Sequence, residues 1–414
     1  MRVKDAAVVA GLSGFYYDDQ LAIRAGAKAD GMVYLGDPVT PGFRRVRQPA
    51  ECASIILVLE DGQIATGDCT SNQYSGAGGR DPLFDAKKYV PFIEKNVLPK
   101  LRGLELTDFR SLAIQFDNME VDGKRMLASI RYGISQAILD AVAKSQHKTM
   151  AEVVADEYGL EISPVERPIY AQTGDERYSN VDKMILKQAD VIPHGLFNTL
   201  DKIGHKGEAL REYLRWIVKR IDQIGEPGYC PIFQCDVYGL LGKAFDDDLD
   251  ALADALVDME KEFAPHALRF EYPIDGGTKE RTIEYNRALK AKLAQRGCNV
   301  KISVDEWNNT LQDMQDFIDA KAVDTFQVKT PVYGSVHHTI EAILLCKKNG
   351  VGSYLGGSCT DTDKSTQVSA HIALATQVEE ILAKPGMGVD EGMMLVRNEM
   401  RRTLAILRMK GRIK

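Results

Sequence analysis

The sequence predicts an α/β fold, with an N-terminal α+β capping domain over residues 1–160 and a modified TIM-type (β/α)7β barrel over residues 161–414. The first observation is a set of four short apolar segments that each end on a charged residue: Ile232–Asp236, Leu268–Glu271, Val300–Asp305 and Thr325–Lys329. The second is their spacing of roughly 24 to 35 residues, with an amphipathic helical pattern in each interval, which is typical of βα units. The third is that the residues before about 160 lack this rhythm.

The N-terminal region combines a predicted β-hairpin with predicted helices. Strand-like segments, Ala53–Leu59 and Ile64–Asp68, flank the turn Glu60–Gln63, which contains the favoured turn pair Asp-Gly. Apolar residues at helical spacing then predict four helices, which are Asp85–Leu101, Asp108–Met119, Ser129–Lys144 and Lys148–Tyr158. Strands followed by a run of helices are typical of an α+β domain.

A glycine-rich segment, Cys69–Pro82, lies between the hairpin and the first of these helices. It lacks the Gly-Lys-Ser/Thr of a Walker loop and the GxGxxG pattern, so a phosphate-binding loop is disfavoured. Two interpretations remain open. The segment is either an ordinary surface loop or a mobile lid that offers Gln73 and Tyr74 to a substrate.

From Pro168 onward, the sequence predicts eight strands with seven intervening helical segments. The four strands not yet named are Ile169–Gln172, Ile185–Pro193, Val351–Gly357 and Glu380–Pro385. Helices are clearest over Gly207–Ile224 and Lys364–Glu379. A barrel brings the C-terminal ends of its strands to one face. A doubly wound open sheet also gathers residues at strand ends, so the strand count is what favours the barrel.

Three predicted strands end on carboxylates, Asp236, Glu271 and Asp305. Carboxylates that converge repel one another and are costly to desolvate unless a cation holds them. A ligand set made only of oxygen suits Mg²⁺ or Mn²⁺ better than Zn²⁺. We therefore expect a Mg²⁺ site, with Lys329 on the next strand as the candidate general base. Glu306 is expected to point away from it, because neighbouring residues of a strand face opposite sides.

Other polar residues also lie at predicted strand ends. His194 ends the second strand and is a candidate second base, although a single histidine is more often structural. Gln172 and Gln327 can donate amide hydrogen bonds to a substrate without adding charge. Cys359 has no identifiable base partner, so its backbone N–H, or that of Ser358, is expected to donate to a substrate carboxylate.

Composition excludes several classes of protein. The formal net charge of -7 and the absence of a Lys/Arg cluster argue against a nucleic-acid partner. The 7 cysteines include no CxxC pair, as expected of free thiols in a reducing compartment. No apolar run approaches the roughly 20 residues of a membrane helix, and no signal peptide is recognisable. We expect a cytoplasmic protein without a membrane partner.

Longer stretches carry a resemblance to a known family. The order Asp236, Glu271, Asp305 and Lys329 on successive strands resembles the enolase superfamily. Within it, the chain is similar to the methylaspartate ammonia-lyase family along nearly its whole length. The stretches that carry this similarity are Leu12–Gln20, Gln73–Phe84, Arg131–Lys144 and Lys384–Met394.

The resemblance implies a function and a set of roles. It implies reversible, Mg²⁺-dependent elimination of ammonia from (2S,3S)-3-methylaspartate to give mesaconate, in glutamate degradation, by proton abstraction at C3 and a metal-stabilised enediolate. It implies Mn²⁺ as a substitute metal, K⁺ as an activator, an amino diacid as the small-molecule partner, and a homodimer. The implied site residues are metal ligands Asp236, Glu271 and Asp305, catalytic bases Lys329 and His194, and substrate contacts Gln172, Gln327, Ser358, Cys359, Gln73 and Tyr74.

Three other functions remain open at this point. A racemase or cycloisomerase on the same scaffold usually carries a Lys-x-Lys pair on the second strand, whereas Lys183 and Lys187 lie upstream of the strand that ends in His194. A glycosidase would use two strand-end carboxylates, which fits three carboxylates and a lysine poorly. An inactive metal-binding relative would have little reason to retain the bases and the ligands together.

Overall fold

The computed structural model describes residues 1–383 and 386–414. Its N-terminal part contains seven strands and six helices among the described residues. In chain order they are β1 (Val3–Asp18), α1 (Gln20–Arg24), β2 (Lys28–Asp30), β3 (Val33–Leu35), β4 (Arg47–Leu59), β5 (Ile64–Cys69), α2 (Ala86–Asn96), α3 (Leu98–Leu101), α4 (Phe109–Asp117), β6 (Glu120–Val121), β7 (Lys124–Arg125), α5 (Ala128–Ser145) and α6 (Met150–Tyr158).

An antiparallel sheet in the order β1-β4-β5 forms the centre of this part, and β4 and β5 confirm the predicted hairpin. Helix α5 packs on the sheet and is buried over nearly its whole length. Glycine permits this close approach, because a Cβ on Gly67 would lie 2.3 Å from the backbone of Gly133 and Ala137. The rest of the contact surface is filled by small and branched side chains, so sheet and helix share one core.

The second part is a barrel of parallel strands. Its elements are β8 (Ile169–Ala171), α7 (Ser179–Leu186), β9 (Val191–His194), α8 (Leu200–Ile203), a 3₁₀ turn (His205–Gly207), α9 (Glu208–Ile224), β10 (Ile232–Asp236), α10 (Leu240–Ala244), α11 (Leu249–Phe263), β11 (Leu268–Glu271), α12 (Lys279–Gln295), β12 (Lys301–Val304), α13 (Leu311–Asp319), β13 (Thr325–Lys329), α14 (Val336–Lys348), β14 (Gly352–Gly356), α15 (Asp363–Thr376), β15 (Glu380–Ala383) and α16 (Val389–Met409). The eight strands close on themselves, and helix lies in every interval, which confirms the predicted barrel.

Several predicted boundaries were wrong. The second barrel strand begins at Val191 rather than Ile185, because Ile185 belongs to α7, where it is buried on the same face as Val181. The helix predicted over Asp85–Leu101 is divided into α2 and α3. The eighth strand was predicted to reach Pro385, and Lys384 and Pro385 lie outside the described residues.

The N-terminal part covers the C-terminal ends of the barrel strands. Backbone bonds join Gly14 N–H to Asp361 O (2.9 Å) and Gln73 N–H to Ser358 O (3.1 Å). The Thr362 hydroxyl donates to the Asp68 carboxylate at 2.5 Å. Polar groups at the strand ends are therefore enclosed between the two parts. In the described portion of the chain, no helix has the length and apolar character needed to cross a membrane.

Candidate active site

A small cavity lies at the C-terminal mouth of the barrel, beneath the N-terminal part. Ten of the eleven predicted site residues line it, and Glu271 lies just behind them. Its volume is about 30 Å³, room for one or two water molecules. A neighbouring small cavity shares Gln73, Tyr74, Gln172 and Cys359 with it. The lining consists of Asn72, Gln73, Tyr74, Gln172, His194, Asp236, Tyr238, Asp305, Glu306, Gln327, Lys329, Gly357, Ser358 and Cys359.

Asp236 and Glu271 end adjacent strands and are paired in register, so their carboxylates lie side by side. Together with His194 they form a group whose potential ligand atoms all lie within 4.8 Å of one another. His194 Nε2 is 3.5 Å from Asp236 Oδ2. Glu271 is fully buried and accepts hydrogen bonds from Gln234, Gln327 and Tyr354, which hold its two oxygens in place.

Asp305 lies at the same mouth but has a different partner. Its Oδ2 accepts a hydrogen bond from Lys329 Nζ at 2.5 Å, and its Oδ1 is 3.7 Å from Arg80 Nη2. In this structure, the side chains whose potential ligand atoms lie closest together are therefore those of His194, Asp236 and Glu271. The predicted set has Asp305 in place of His194. The candidate base Lys329 is 12% exposed and directly contacts one of the three predicted metal ligands.

The expectation for Glu306 was wrong, because Glu306 lines the cavity together with Asp305. Strand β12 ends at Val304, so the alternation of side chains along a strand no longer applies at these two positions. Four carboxylates, rather than three, therefore crowd the mouth of the barrel.

This crowding perturbs the titration of the acidic groups. Burial, followed by repulsion from neighbouring carboxylates, raises the pKa of Asp236 well above its usual value. The same causes raise the pKa of Glu271 to about 8 and that of Glu306 to about 7. Burial and the nearby Lys329 charge lower the pKa of His194 to about 3, so its imidazole is neutral at neutral pH.

The donor set fits a divalent cation. Hard oxygen ligands at high density are the environment that Mg²⁺ prefers, and a cation would relieve the repulsion among the buried carboxylates. Three buried oxygens of the cavity lining, Gln172 Oε1, Glu306 Oε2 and Gln327 Oε1, accept no hydrogen bond from the described residues. These atoms are open to a cation, to its water ligands or to a substrate.

Gln73 and Tyr74 reach the cavity from the glycine-rich segment. The Gln73 amide nitrogen donates to Asp18 Oδ2 at 2.7 Å, which leaves the amide oxygen as the acceptor for a ligand. Asp18 in turn accepts two hydrogen bonds from Arg47, at 2.7 and 2.8 Å. Arg47 also contacts Asp175, in the loop that follows β8. A buried ion-pair network thus holds Gln73 at the cavity.

Replacing Asp18 with alanine is expected to lower the free energy of unfolding by about 3–5 kcal/mol, because it leaves the buried Arg47 guanidinium without its main partner. The side chains of Asp18 and Arg47 are 1% and 6% exposed. Urea denaturation followed by circular dichroism measures the change. The matched control is Asp5→Ala, which removes an exposed Asp–Arg pair and should change stability little. Equal effects of the two substitutions would contradict a stabilising role for the network.

Ser358 and Cys359 follow β14 and line the cavity. The Ser358 N–H already donates to Asp361 Oδ2 at 2.8 Å. It is therefore not free to donate to a substrate carboxylate, which was one of the two options that the sequence suggested. The Cys359 N–H donates to no acceptor among the described residues. Cys359 has a φ of 65°, and burial raises the pKa of its thiol to about 12, so it is not a thiolate nucleophile.

The lysines required by the racemase or cycloisomerase alternative lie elsewhere. Lys183 and Lys187 both form ion pairs with Asp390 of α16, outside the cavity. Sequence reasoning also missed Asp18, Tyr238 and Glu306 as parts of the site. For Glu306 the short apolar run before Asp305 was a usable signal, because a strand of four residues ends before the acidic pair.

Comparisons with known proteins agree with this geometry. The family model described as "Methylaspartate ammonia-lyase N-terminus" matches residues 1–159, and that described as "Methylaspartate ammonia-lyase C-terminus" matches residues 161–409. Methylaspartate ammonia-lyase 1 of Carboxydothermus hydrogenoformans is 51% identical over 408 residues, 98% of this chain and 97% of that protein.

Two solved structures share the fold and much of the sequence. The Mg-complex of beta-methylaspartase from Clostridium tetanomorphum is 50% identical with a TM-score of 0.94, covering 99% of this chain and 100% of that one. Methylaspartate ammonia lyase of Citrobacter amalonaticus, containing (2S,3S)-3-methylaspartic acid, is 46% identical with a TM-score of 0.96, covering 99% and 100%.

Proposed function

Because this chain belongs to the methylaspartate ammonia-lyase family, it is a carbon–nitrogen lyase, and we propose that it reversibly eliminates ammonia from (2S,3S)-3-methylaspartate to give mesaconate. The observation that carries the proposal is the presence of Lys329 and His194 in one enclosed cavity with the strand-end carboxylates. A small amino diacid bound in this cavity would lie beside two bases and a group of carboxylates that can bind a cation. The proposed context is glutamate degradation through mesaconate.

Asp236, Glu271 and Asp305 are the proposed ligands of Mg²⁺, with Mn²⁺ as a substitute and K⁺ as an activator. When bound, the cation would supply positive charge for a substrate carboxylate and for the negative charge created by removal of a neighbouring proton. The support in this structure is the crowding of buried carboxylates with raised pKa values. The Clostridium tetanomorphum relative is a Mg-complex.

Lys329 is the proposed base for the C3 proton of the (2S,3S) substrate. Its ammonium donates to Asp305 in this structure, so it must leave that ion pair and lose a proton before it can accept one. His194 is the proposed base on the opposite face, where it would serve the other C3 epimer or stabilise the reaction intermediate. Burial keeps its imidazole neutral, which is the form that can accept a proton.

The proposed substrate contacts surround these bases. The Gln172 amide nitrogen lies 3.4 Å from His194 Nδ1 and orients the imidazole as well. The Gln73 amide oxygen is suited to accept from the substrate ammonium, and the Cys359 N–H is suited to donate to a carboxylate. The remaining contacts in this proposal are Gln327, Ser358 and Tyr74.

The test follows the ultraviolet absorbance of the conjugated diacid when purified protein is incubated with (2S,3S)-3-methylaspartate. The signal is expected to grow with Mg²⁺ and to disappear with a chelator. A protein that binds Mg²⁺ but gives no such signal would instead catalyse another proton abstraction on this barrel.

A second measurement separates the two roles proposed for His194. If His194 is the base for the other C3 epimer, His194→Ala should lower the rate with that epimer by about 100-fold while the (2S,3S) rate changes by less than about tenfold. Equal losses with both epimers would rule out that role and favour stabilisation of the intermediate. The two rates are compared by initial-velocity kinetics at saturating Mg²⁺.

Three further properties belong to the same proposal. We place the domain boundary between residues 160 and 161, in agreement with the ranges of the two family models. A homodimer is supported by exposed apolar side chains on the N-terminal part, including Leu12, Leu35 and Val39. A cytoplasmic location is supported by seven cysteines that are all free.

A further inference from the structure

A second and larger cavity adjoins the active site. This side cavity has a volume of about 400 Å³, within the usual range for small-ligand sites, and Asn72 lines both cavities. It lies between the N-terminal part and the loops that follow β12 and β13. Its lining consists of Ser71, Asn72, Gly79, Arg80, Asp81, Arg125, Ala128, Ser129, Arg131, Asn309, Thr310, Leu311, Gln312, Pro331, Val332, Tyr333 and His338.

Arg80 is the unusual residue of the side cavity. Its side chain is only 5% exposed, yet its guanidinium donates no hydrogen bond to any residue that the structure describes. The nearest carboxylate oxygen, Asp305 Oδ1, is 3.7 Å from Nη2, beyond hydrogen-bond distance. A guanidinium carries five donors, and burying a charged group without partners is costly. The Arg80 Nε–H is therefore buried without an acceptor among the described residues, while Nη2 has only the long ion pair with Asp305.

The surroundings of Arg80 favour an anion. Arg125 and Arg131 also line the side cavity, so three arginines contribute to its lining. Asp117 accepts hydrogen bonds from Arg131 and from Arg125, and the Asp81 carboxylate is engaged by the Ala128 N–H at 2.7 Å. Asp117 and Asp81 are thus already paired with other groups, and Asp305 is the carboxylate closest to Arg80.

The N-terminus of the 18-residue helix α5 also lies at the side cavity and adds to its positive electrostatic potential. Ala128, Ser129 and Arg131, in the first turn of α5, all line the side cavity, and the N-cap residue Leu127 provides no side-chain cap. The positive end of a helix dipole favours a negatively charged ligand. The lining also contains the apolar or largely apolar residues Leu311, Pro331, Val332 and Tyr333. A cavity with both cationic and apolar lining suits a carboxylate on a short carbon chain.

We propose that the side cavity is a second ligand site, which binds a small organic carboxylate with the Arg80 guanidinium as its central partner. A guanidinium pairs with a carboxylate through two parallel hydrogen bonds, which would satisfy the donors that Arg80 leaves unused. Because Arg80 also lies beside Asp305, a ligand in the side cavity is adjacent to the proposed metal site. The inference goes beyond the proposed reaction and does not depend on it.

The test is calorimetric titration with succinate, which requires no turnover, together with crystals soaked in succinate. A carboxylate group is expected within hydrogen-bond distance of the Arg80 guanidinium. In solution, Arg80→Met should weaken the corresponding binding by more than about tenfold, the loss expected for a charged hydrogen bond. Absence of succinate from the side cavity, or an unchanged isotherm in Arg80→Met, would overturn the proposal.

Two variants separate this site from the catalytic one. Arg125→Gln removes a half-exposed cation of the side cavity that does not line the active site, so it should weaken succinate binding several-fold and leave kcat unchanged. Arg401→Gln, at an exposed arginine on α16, is the control and should change neither. Succinate binding that survives Arg125→Gln at full strength would count against the site. Tighter binding of inorganic phosphate than of succinate would overturn the assignment to carboxylates.

Discussion

Lys329→Ala is expected to lower kcat for the elimination of ammonia from (2S,3S)-3-methylaspartate by about 10²–10⁴-fold, the usual contribution of a positioned general base. The lysine ends β13 at the mouth of the barrel and contacts Asp305. No other lysine lines the cavity in the described part of the chain, so no neighbouring amine can replace it. Initial rates of diacid formation at saturating Mg²⁺ measure the effect.

Two controls make the Lys329→Ala result specific. Lys301 is exposed at the opposite end of the neighbouring strand β12, so Lys301→Ala should leave kcat unchanged. Loss of the ammonium removes a positive charge beside the carboxylates, so Lys329→Ala should bind Mg²⁺ at least as tightly as the unaltered protein. Substantial residual activity, or unchanged exchange of the C3 hydrogen with deuterated solvent, would assign the base to another residue.

Asp236→Asn is expected to abolish activity and to remove most of the stabilisation that Mg²⁺ gives the folded protein. A ligand present at 100 times its dissociation constant stabilises by about 2.7 kcal/mol, which appears as a rise in Tm. Asp236 is 4% exposed and stands beside Glu271, so it is central to the proposed ligand set. Without metal, the charged form of Asp236 is disfavoured by burial and by the neighbouring carboxylates, so a neutral amide of the same shape should not lower the Tm in a chelator.

The measurement is the Tm with Mg²⁺ and with a chelator. Asp37→Asn, in an exposed loop of the N-terminal part, is the matched control and should keep the full Mg²⁺-dependent rise. If Asp236→Asn also kept that rise, the metal would bind elsewhere. If it lowered the Tm in the chelator as well, the carboxylate would have a structural role that does not depend on the cation.

Much of the fold could be predicted because local patterns are strong in the barrel. The strands β10, β11 and β13 were predicted with their observed bounds, since each is a short apolar run between amphipathic helices. Strand β1 was missed. Most of its residues are exposed or half-buried, several are small, and pairing with β4 stabilises it as a strand. Tertiary pairing of this kind has no local sequence signal.

The sequence by itself determined which charged groups end the strands, because strand periodicity and the spacing of βα units place Asp236, Glu271 and Lys329 at one face of a closed barrel. Only the tertiary structure decided how the side chains there are partnered. It placed Glu306 in the cavity lining, paired Lys329 with Asp305, and left Arg80 Nε buried without a hydrogen-bond partner among the described residues. The physical reason is that partners and burial depend on segments far apart in the chain, whereas strand and helix patterns depend on neighbours.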